Sequence, residues 1–507
     1  MKYVLIILIM LPIFLFSQNK SGNNMIIGDQ GMHAFFLNNN SKPIMKQTFL
    51  PFPIIPQRNL DIGSCCISDS ANGRLLITCN GFTIYDTLGN IIENGDSLVP
   101  NKIYNHNGSF KASGVSQTSL LIPKGNSGLY YLFTPTVTNS MYDTIIANPF
   151  KGAWFDLLQY HIIDMNANGG AGKVIAKNIP LMQNAKLAQC GMQGCRHANG
   201  VDWWVLKNGV NDTNVIYRFL VTADTIIGPD SQFFATPKYS AKAVNYRGQA
   251  AFSANGKKYA FVSAKNSRLF VADFNRCTGL LSNPIIDSIP ALTTTDPYYD
   301  TAGYKDWTSN GVAFSPNDSF IYVATDYNIH QLELYKTDTT RWYNVQHGSD
   351  TTLQKFEFYS TLHRGIDGRI YIGKGSGISR SNSVIDNPNN KGAACGFCRK
   401  CLRCDTCLYW TVAPANMPDF NLGADSSSCW PLSNVQLAIS NEQVKVYPNP
   451  ANSVLYMQTT SKQKRELYNY IGQLLFTTAE NKIDVSKYPR GLYFVKCGAE
   501  VIKVVLE

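Results

Sequence analysis

The chain has 507 residues, of which 44% are apolar and 12% aromatic, more than one ordinary domain and ample for a large core. Its formal net charge is +10, yet only 16% of residues are charged and the longest basic run is the short "KQKR" at 462–465. A nucleic-acid partner is therefore excluded, and mild attraction to anionic surfaces is all the charge supports. The 38 glycines, 27 tyrosines and 26 phenylalanines favour turns and strands, so a mostly β protein is expected.

The N-terminus reads "MKYVLIILIMLPIFLFSQNK": one lysine, an apolar run from Tyr3 to Phe16, then the small Ser17 before polar residues. That run is short for a bilayer span and has the order of a secretory signal, so residues 1–17 are expected to be a signal peptide. No later segment is apolar for long enough to cross a bilayer, and no transmembrane segment is expected in the exported chain.

Between residues 60 and 375 one unit recurs, a polar turn followed by an aromatic, β-branched strand. Its instances are "ANGRLLITCNG" from Ala71, "GNSGLYYLFTP" from Gly125, "ANGVDWWVLKNG" from Ala198, "ANGKKYAFVSA" from Ala254, "PNDSFIYVATD" from Pro316 and "IDGRIYIGKG" from Ile366. A second strand follows most of them, and the spacing of about 50 to 70 residues is near the four-strand period of propeller blades. The expected fold is all-β: a six- or seven-bladed β-propeller over 18–434, followed by a small C-terminal β-sandwich. Residues 31–39 and the segment after Cys407 are expected to combine as a closing blade.

Catalytic constellations are thin. No nucleophile elbow, H-E-x-x-H helix, Walker loop or dinucleotide fingerprint occurs, so no catalytic residue, cofactor or metal ligand is assigned. The seven histidines never lie close enough in sequence to form a local metal pair. "DMNANGG" at 164–170 starts like a calcium loop, but its twelfth position is Ile175 where a glutamate is needed, so a hairpin turn is the better reading. In "CRHANGVDWW", His197 and Asp202 flank a turn, and Trp203 and Trp204 face opposite sides of a strand. His197, Asp202 and Trp203 are the candidate binding-face residues, with a structural hydrogen-bond role for the His and Asp favoured over a catalytic one.

"CGFCRKCLRCDTC" at 395–407 spaces five cysteines by three. The last spacing does not suit a ferredoxin run, no histidine follows for haem attachment, and the contiguous pairs are compressed for a zinc ribbon. An oxidising compartment favours disulfides, so Cys395, Cys398, Cys401, Cys404, Cys407 and Cys429 are expected to staple a loop on one face of the ring. Cys190 and Cys195 are expected to close a short loop of their own.

After a linker at 435–443, residues 444–507 alternate apolar and polar positions between "PNPANS", "YIG" and "YPRG" turns, as a small antiparallel sandwich does. The marks "VYPNPANS", "LYNYIGQLL", "IDVSKYPRGLYFV" and "VIKVVLE" resemble the C-terminal sorting domain of the Por, or type IX, secretion system. The resemblance implies that Pro448, Asn449, Pro450, Gly472, Gly491 and Tyr493 are its motif residues. It also implies that type IX secretion machinery is a partner and that the protein reaches the cell surface or the medium. Cys497 departs from the usual run of such domains.

The "FSPNDSFIYVAT" form resembles lactonase-like and YVTN or WD-repeat-like propellers. Two function classes follow: a surface or secreted binding and adhesion module engaging a glycan, protein or mineral surface without catalysis of its own, or a secreted lactonase-like hydrolase using the central channel. The lack of a catalytic motif favours the first.

Overall fold

The computed structural model describes residues 19–28, 32–36, 42–47, 60–106, 113–147, 154–210, 214–234, 248–263, 268–290, 309–345, 358–374, 381–403, 413–425, 429, 445–458, 464–469, 473–497 and 500–507. The expected signal peptide at 1–17, the expected linker at 435–443, Cys404, Cys407 and Gly472 lie outside these. The chain divides into two compact units, Met1–Asp425 and Ser426–Glu507.

In the first unit, antiparallel sheets succeed one another along the chain. β1 (Asn24–Ile26), β2 (Met32–Phe35) and β3 (Ile44–Gln47) form one sheet, and β4 (Cys65–Ser68), β5 (Leu75–Cys79) and β6 (Ile84–Tyr85) the next. β7 (Leu120–Pro123), β8 (Leu129–Thr136), β9 (Phe155–Asp164), β10 (Lys173–Arg196), β11 (Trp203–Gly209), β12 (Asn214–Val221) and β13 (Ile226–Phe234) pair in simple order into a seven-stranded sheet.

That large sheet is double. β10 is 24 residues long, mostly accessible where it edges β9, and buried from Leu187 onward where it becomes the inner strand beside β11. Three four-stranded sheets follow: β14 (Gly248–Phe252) to β17 (Leu281–Ser288) through β15 (Lys258–Ser263) and β16 (Arg268–Phe274); β18 (Ser309–Phe314), β19 (Phe320–Thr325), β20 (Ile329–Glu333) and β21 (Trp342–Asn344); and β22 (Tyr359–Arg364), β23 (Ile370–Lys374), β24 (Ser381–Ile385) and β25 (Phe397–Arg403).

The six recurrent turns are the hairpins joining the first two strands of these sheets. Five are closed by the same backbone bond across five residues, among them His197 N–H to Asp202 O (2.8 Å), Ser253 N–H to Lys258 O (3.0 Å) and Ser315 N–H to Phe320 O (2.9 Å), and the sixth closes one residue sooner, Gly365 N–H to Arg369 O (2.9 Å). A left-handed residue tightens each turn, Gly200 (φ 75°) and Gly256 (φ 70°) in two of them, a conformation that costs glycine little.

Burial sorts the strands as a propeller requires. β19 is buried throughout, whereas the outer β17 keeps most of its residues accessible. Neighbouring sheets pack face to face through aromatic layers: Trp204, Tyr259, Phe270 and Phe274 share one core, and Tyr322, Tyr359 and Ile372 another. The last sheet returns to the first, where Phe36 meets the Tyr371 ring edge-on at 5.7 Å. Alternating flat sheets around a closed ring make this a β-propeller.

β2 pairs with β1 and β3, and the chain after Cys407 meets this first sheet through Ala415, whose N–H donates to the Ile26 carbonyl at 2.8 Å. The cysteine-rich segment is not simply a loop: residues 397–403 form β25, the outer strand of the last sheet, where alternate side chains face solvent and polar residues are tolerated.

The second unit is the expected antiparallel sandwich. β26 (Lys445–Tyr447), β27 (Val454–Gln458) and β30 (Lys482–Asp484) face β28 (Arg465–Asn469), β29 (Leu474–Thr478), β31 (Gly491–Cys497) and β32 (Glu500–Leu506). Leu455, Leu467, Val495 and Val504 are completely buried between the two sheets.

Candidate functional site

The innermost strands of a propeller surround an axis, and here the chain fills its own axis. Asn416 lies where these strands converge. Its backbone N–H donates to Ser64 O (2.8 Å), and its side-chain NH2 donates to Ser119 O (2.9 Å) and Met192 O (3.2 Å). The side-chain oxygen accepts from Gln117 Nε2 (3.1 Å) and Gln193 Nε2 (3.0 Å).

Glutamines extend the network to the remaining sheets. Gln117 also exchanges two bonds with the backbone of Ala250, and Gln249 accepts from the N–H groups of Val312 (3.0 Å) and Leu362 (2.9 Å). These amides are all buried, and amides suit the place because each carries donors and acceptors for edge groups that water would otherwise have to satisfy.

On one side of this plug a cavity of about 260 Å3 remains, beneath the hairpins and roofed by residues 417–422. Its walls mix the rings of Phe252 and Phe420 with polar Ser253, Asn421, His363 and Arg364. Arg364 Nη2 donates to Asp419 Oδ2 at 2.8 Å, and Asp419 Oδ1 accepts from the Asn421 N–H at 2.9 Å, so the wall carboxylate is already engaged.

His363 is half-buried on β22, and among the described residues its ring has no hydrogen-bond partner. Burial, with the Arg364 charge beside it, pulls its pKa down to about 4. At neutral pH it therefore offers the cavity one donor and one acceptor without charge. Sequence reasoning missed both the amide plug and this histidine.

The sequence candidates lie in and beside the β10–β11 hairpin. The ring of His197 accepts from Asn199 N–H through Nδ1 (3.0 Å), and its Nε2 lies 2.9 Å from Cys277 O. Asp202 accepts instead from the Asn199 side chain (2.7 Å), so the two residues meet only through the backbone bond of a repeated hairpin. Trp203 is 1% exposed under the Arg196 guanidinium, 4.3 Å from its ring centre, and Trp204 lies in the core on the other face with its Nε1 donating to Arg276 O (2.8 Å). Trp203 is therefore a core residue and not a binding-face one. The turn at 164–170 is the β9–β10 hairpin, where the Asp164 side chain accepts from the Asn166 N–H at 2.9 Å.

The cysteines divide. Cys398 and Cys401 form a disulfide across β25, and Cys277 and Cys429 are each disulfide-bonded. Cys395 keeps a buried thiol. Cys190 and Cys195, the expected pair, carry buried thiols, pushed up by burial to about 11 and about 12, on the bulged inner half of β10.

In the sandwich, Asn449 ties the turn after β26 to β32, donating to Lys503 O (2.9 Å) and accepting from Val505 N–H (2.9 Å). Tyr493 is buried with its hydroxyl donating to Pro489 O (2.7 Å), and Gly491 opens β31 at φ 148°. Pro448 and Pro450 flank Asn449 in the same turn.

Residues 445–506 match the family described as a secretion system C-terminal sorting domain. A search of curated proteins returns no match to the chain. Among solved structures, the chain is similar to a periplasmic gluconolactonase of Pseudomonas aeruginosa, at 10% identity and TM-score 0.37, over 95% of this chain and 98% of that one. AztD of Citrobacter koseri (10%, TM-score 0.37) is covered over 87% of its chain by 78% of this one. The β-propeller domain of Myceliophteria thermophila Cps50 (9%, TM-score 0.28) is covered over 93% by 69%. At these scores the likenesses carry no functional information.

The sorting domain marks the protein as an exported one, delivered by type IX secretion machinery to the cell surface or the medium. Among the described residues no helix is long and apolar enough to cross a membrane.

Proposed function

We propose that the protein is a seven-bladed exported binding module, without catalysis of its own, that holds one small polar unit of a surface glycan or protein in the cavity above the plugged axis. The observation that carries this reading is the plug itself. A hydrolase working through the central channel needs that channel open to substrate, whereas here Asn416 and its glutamine partners occupy it. The cavity suits recognition: a neutral imidazole and amide groups for orientation, and aromatic rings for contact area. The one acidic wall group among the described residues, Asp419, supports Arg364 and does not stand ready as a base.

At about 260 Å3 the cavity is smaller than most drug-sized sites, which favours a single residue of a longer chain as ligand. The reading is tested with the secreted protein on arrayed glycans and surface proteins. Wild type should bind a discrete subset, and His363→Phe, which removes both ring nitrogens from the cavity wall, should lose that subset while keeping the same thermal transition. Binding that survives His363→Phe would place recognition elsewhere on the ring.

A further inference from the structure

We infer that Cys65 and Cys79 are joined by a disulfide in the exported protein, a bridge that staples the first two strands of the second sheet. β4 and β5 are registered so that Cys65 stands directly opposite Cys79. Residues opposed in this way hold their Cβ atoms about 4.5–5.5 Å apart, near the separation a disulfide adopts after a small adjustment. Both side chains are 0% exposed and belong to the same core. Burial is the main reason the Cys65 thiol is held far above its ordinary range, and the neighbouring Cys79 thiol adds to it, so the two sulfurs share one pocket.

The choice of partner follows from strand geometry. Cys66 projects from the opposite face of β4, where its thiol lies 3.5 Å from the Asn24 carbonyl and 3.4 Å from the Met417 sulfur. It cannot reach Cys79 without turning the strand over. Of the three thiols in this sheet, only Cys65 and Cys79 face each other.

The chemistry needs an oxidant, and export supplies its class. An exported thiol–disulfide oxidoreductase presents a disulfide; one cysteine thiolate attacks it to give a mixed disulfide and a released thiol, and the second thiolate then displaces the oxidoreductase. Cys65 and Cys79 lose two electrons and two protons, and the oxidoreductase is reduced to its dithiol. Because the folded core covers both sulfurs, the exchange belongs to the folding chain, when the β4–β5 hairpin has formed and the ring has not closed around it.

Trypsin provides a direct reading, since cleavage after Arg74 separates the two cysteines. Full-length protein collected from the medium is unfolded in an alkylating agent without reductant and then digested. The expected result is a linked species joining residues 59–74 to 75–102, unmodified at Cys65 and Cys79, that falls apart on reduction. The linked species should persist in Cys66→Ser and vanish in Cys65→Ser. Alkylation of both Cys65 and Cys79 without reductant overturns the inference, and so does a linked species that Cys66→Ser abolishes.

Discussion

Gln117 donates through its side-chain amide to the side-chain oxygen of Asn416 at 3.1 Å, across 299 positions of sequence. The bond joins a turn before the third sheet to the segment that returns from the last one, so the ring is sealed at its axis as well as at its seam. Removing Asn416 should be costly far beyond one side chain. Asn416→Ala leaves the carbonyls of Ser119 and Met192 and the amides of Gln117 and Gln193 without that partner, and a loss of about 2–4 kcal/mol is expected. The denaturant midpoint of the purified protein measures it; a change under 0.5 kcal/mol, the scale of about an ordinary surface substitution, would remove the plug from the account.

Lys207 is completely buried, donating to the Cys190 carbonyl at 2.7 Å, and burial brings its pKa down to about 7. The unfolded chain keeps its proton up to about pH 10.5, so between pH 7 and 10.5 unfolding takes up a proton and stability rises with pH through this group. Lys207→Met should stabilise the protein at pH 7 by on the order of 1–3 kcal/mol and flatten that alkaline rise. Thermal transitions of both proteins at pH 7 and pH 9.5 decide it, and a less stable Lys207→Met at both values would contradict it.

His161 is also fully buried, and burial lowers its pKa to about 3. Its Nδ1 accepts from the Asn178 N–H at 3.0 Å, so the proton sits on Nε2, which lies 2.8 Å from the Thr134 hydroxyl. Below pH 6.5 the unfolded chain binds a proton that the native ring refuses, so stability falls as pH drops from 6.5 towards 3. Each unit is worth about 1.4 kcal/mol. His161→Gln should show a shallower acid slope in unfolding free energy than wild type; an unchanged slope would refute the assignment.

The sorting domain predicts a location phenotype. Removing residues 445–507 should leave the propeller inside the envelope while abolishing its appearance at the surface or in the medium. Asn449→Ala, which cuts both side-chain bonds of the Asn449 turn, should lower secretion in proportion to its loss of sandwich stability. Fractionated immunoblots read both, and normal surface delivery of the truncated chain would sink the prediction.

Much of the ring was legible in the chain. The six turn-strand units are the six first hairpins, because a tight polar turn before a fully buried aromatic strand has few other uses. The sandwich was legible for the same reason. Function was less so, since the axis is assembled from residues hundreds of positions apart. One trace was available: "QGCRHANG" and "QAAFSANG" place Gln193 and Gln249 at the same distance before the glycines of two equivalent turns. A repeat alignment reading that glutamine would have pointed to the axis. Asn416 carries no such mark, and Trp203, which looked like a surface feature, is covered by Phe420 from a segment more than two hundred residues later. The Cys190–Cys195 bridge was expected because the intervening residues read as a loop, whereas they belong to the bulged inner half of β10.

The central claim is recognition without turnover above a plugged axis. The most direct test follows one ligand-binding experiment to its chemical end: secreted wild-type protein and His363→Phe are titrated with the glycan or peptide that wild type retains, and the mixtures are then analysed for product by mass spectrometry. The account predicts saturable binding by wild type, loss of it in His363→Phe, and recovery of the ligand unchanged. Conversion of that ligand, or of a lactone offered in its place, that His363→Phe abolishes would make the cavity an active site and contradict the account.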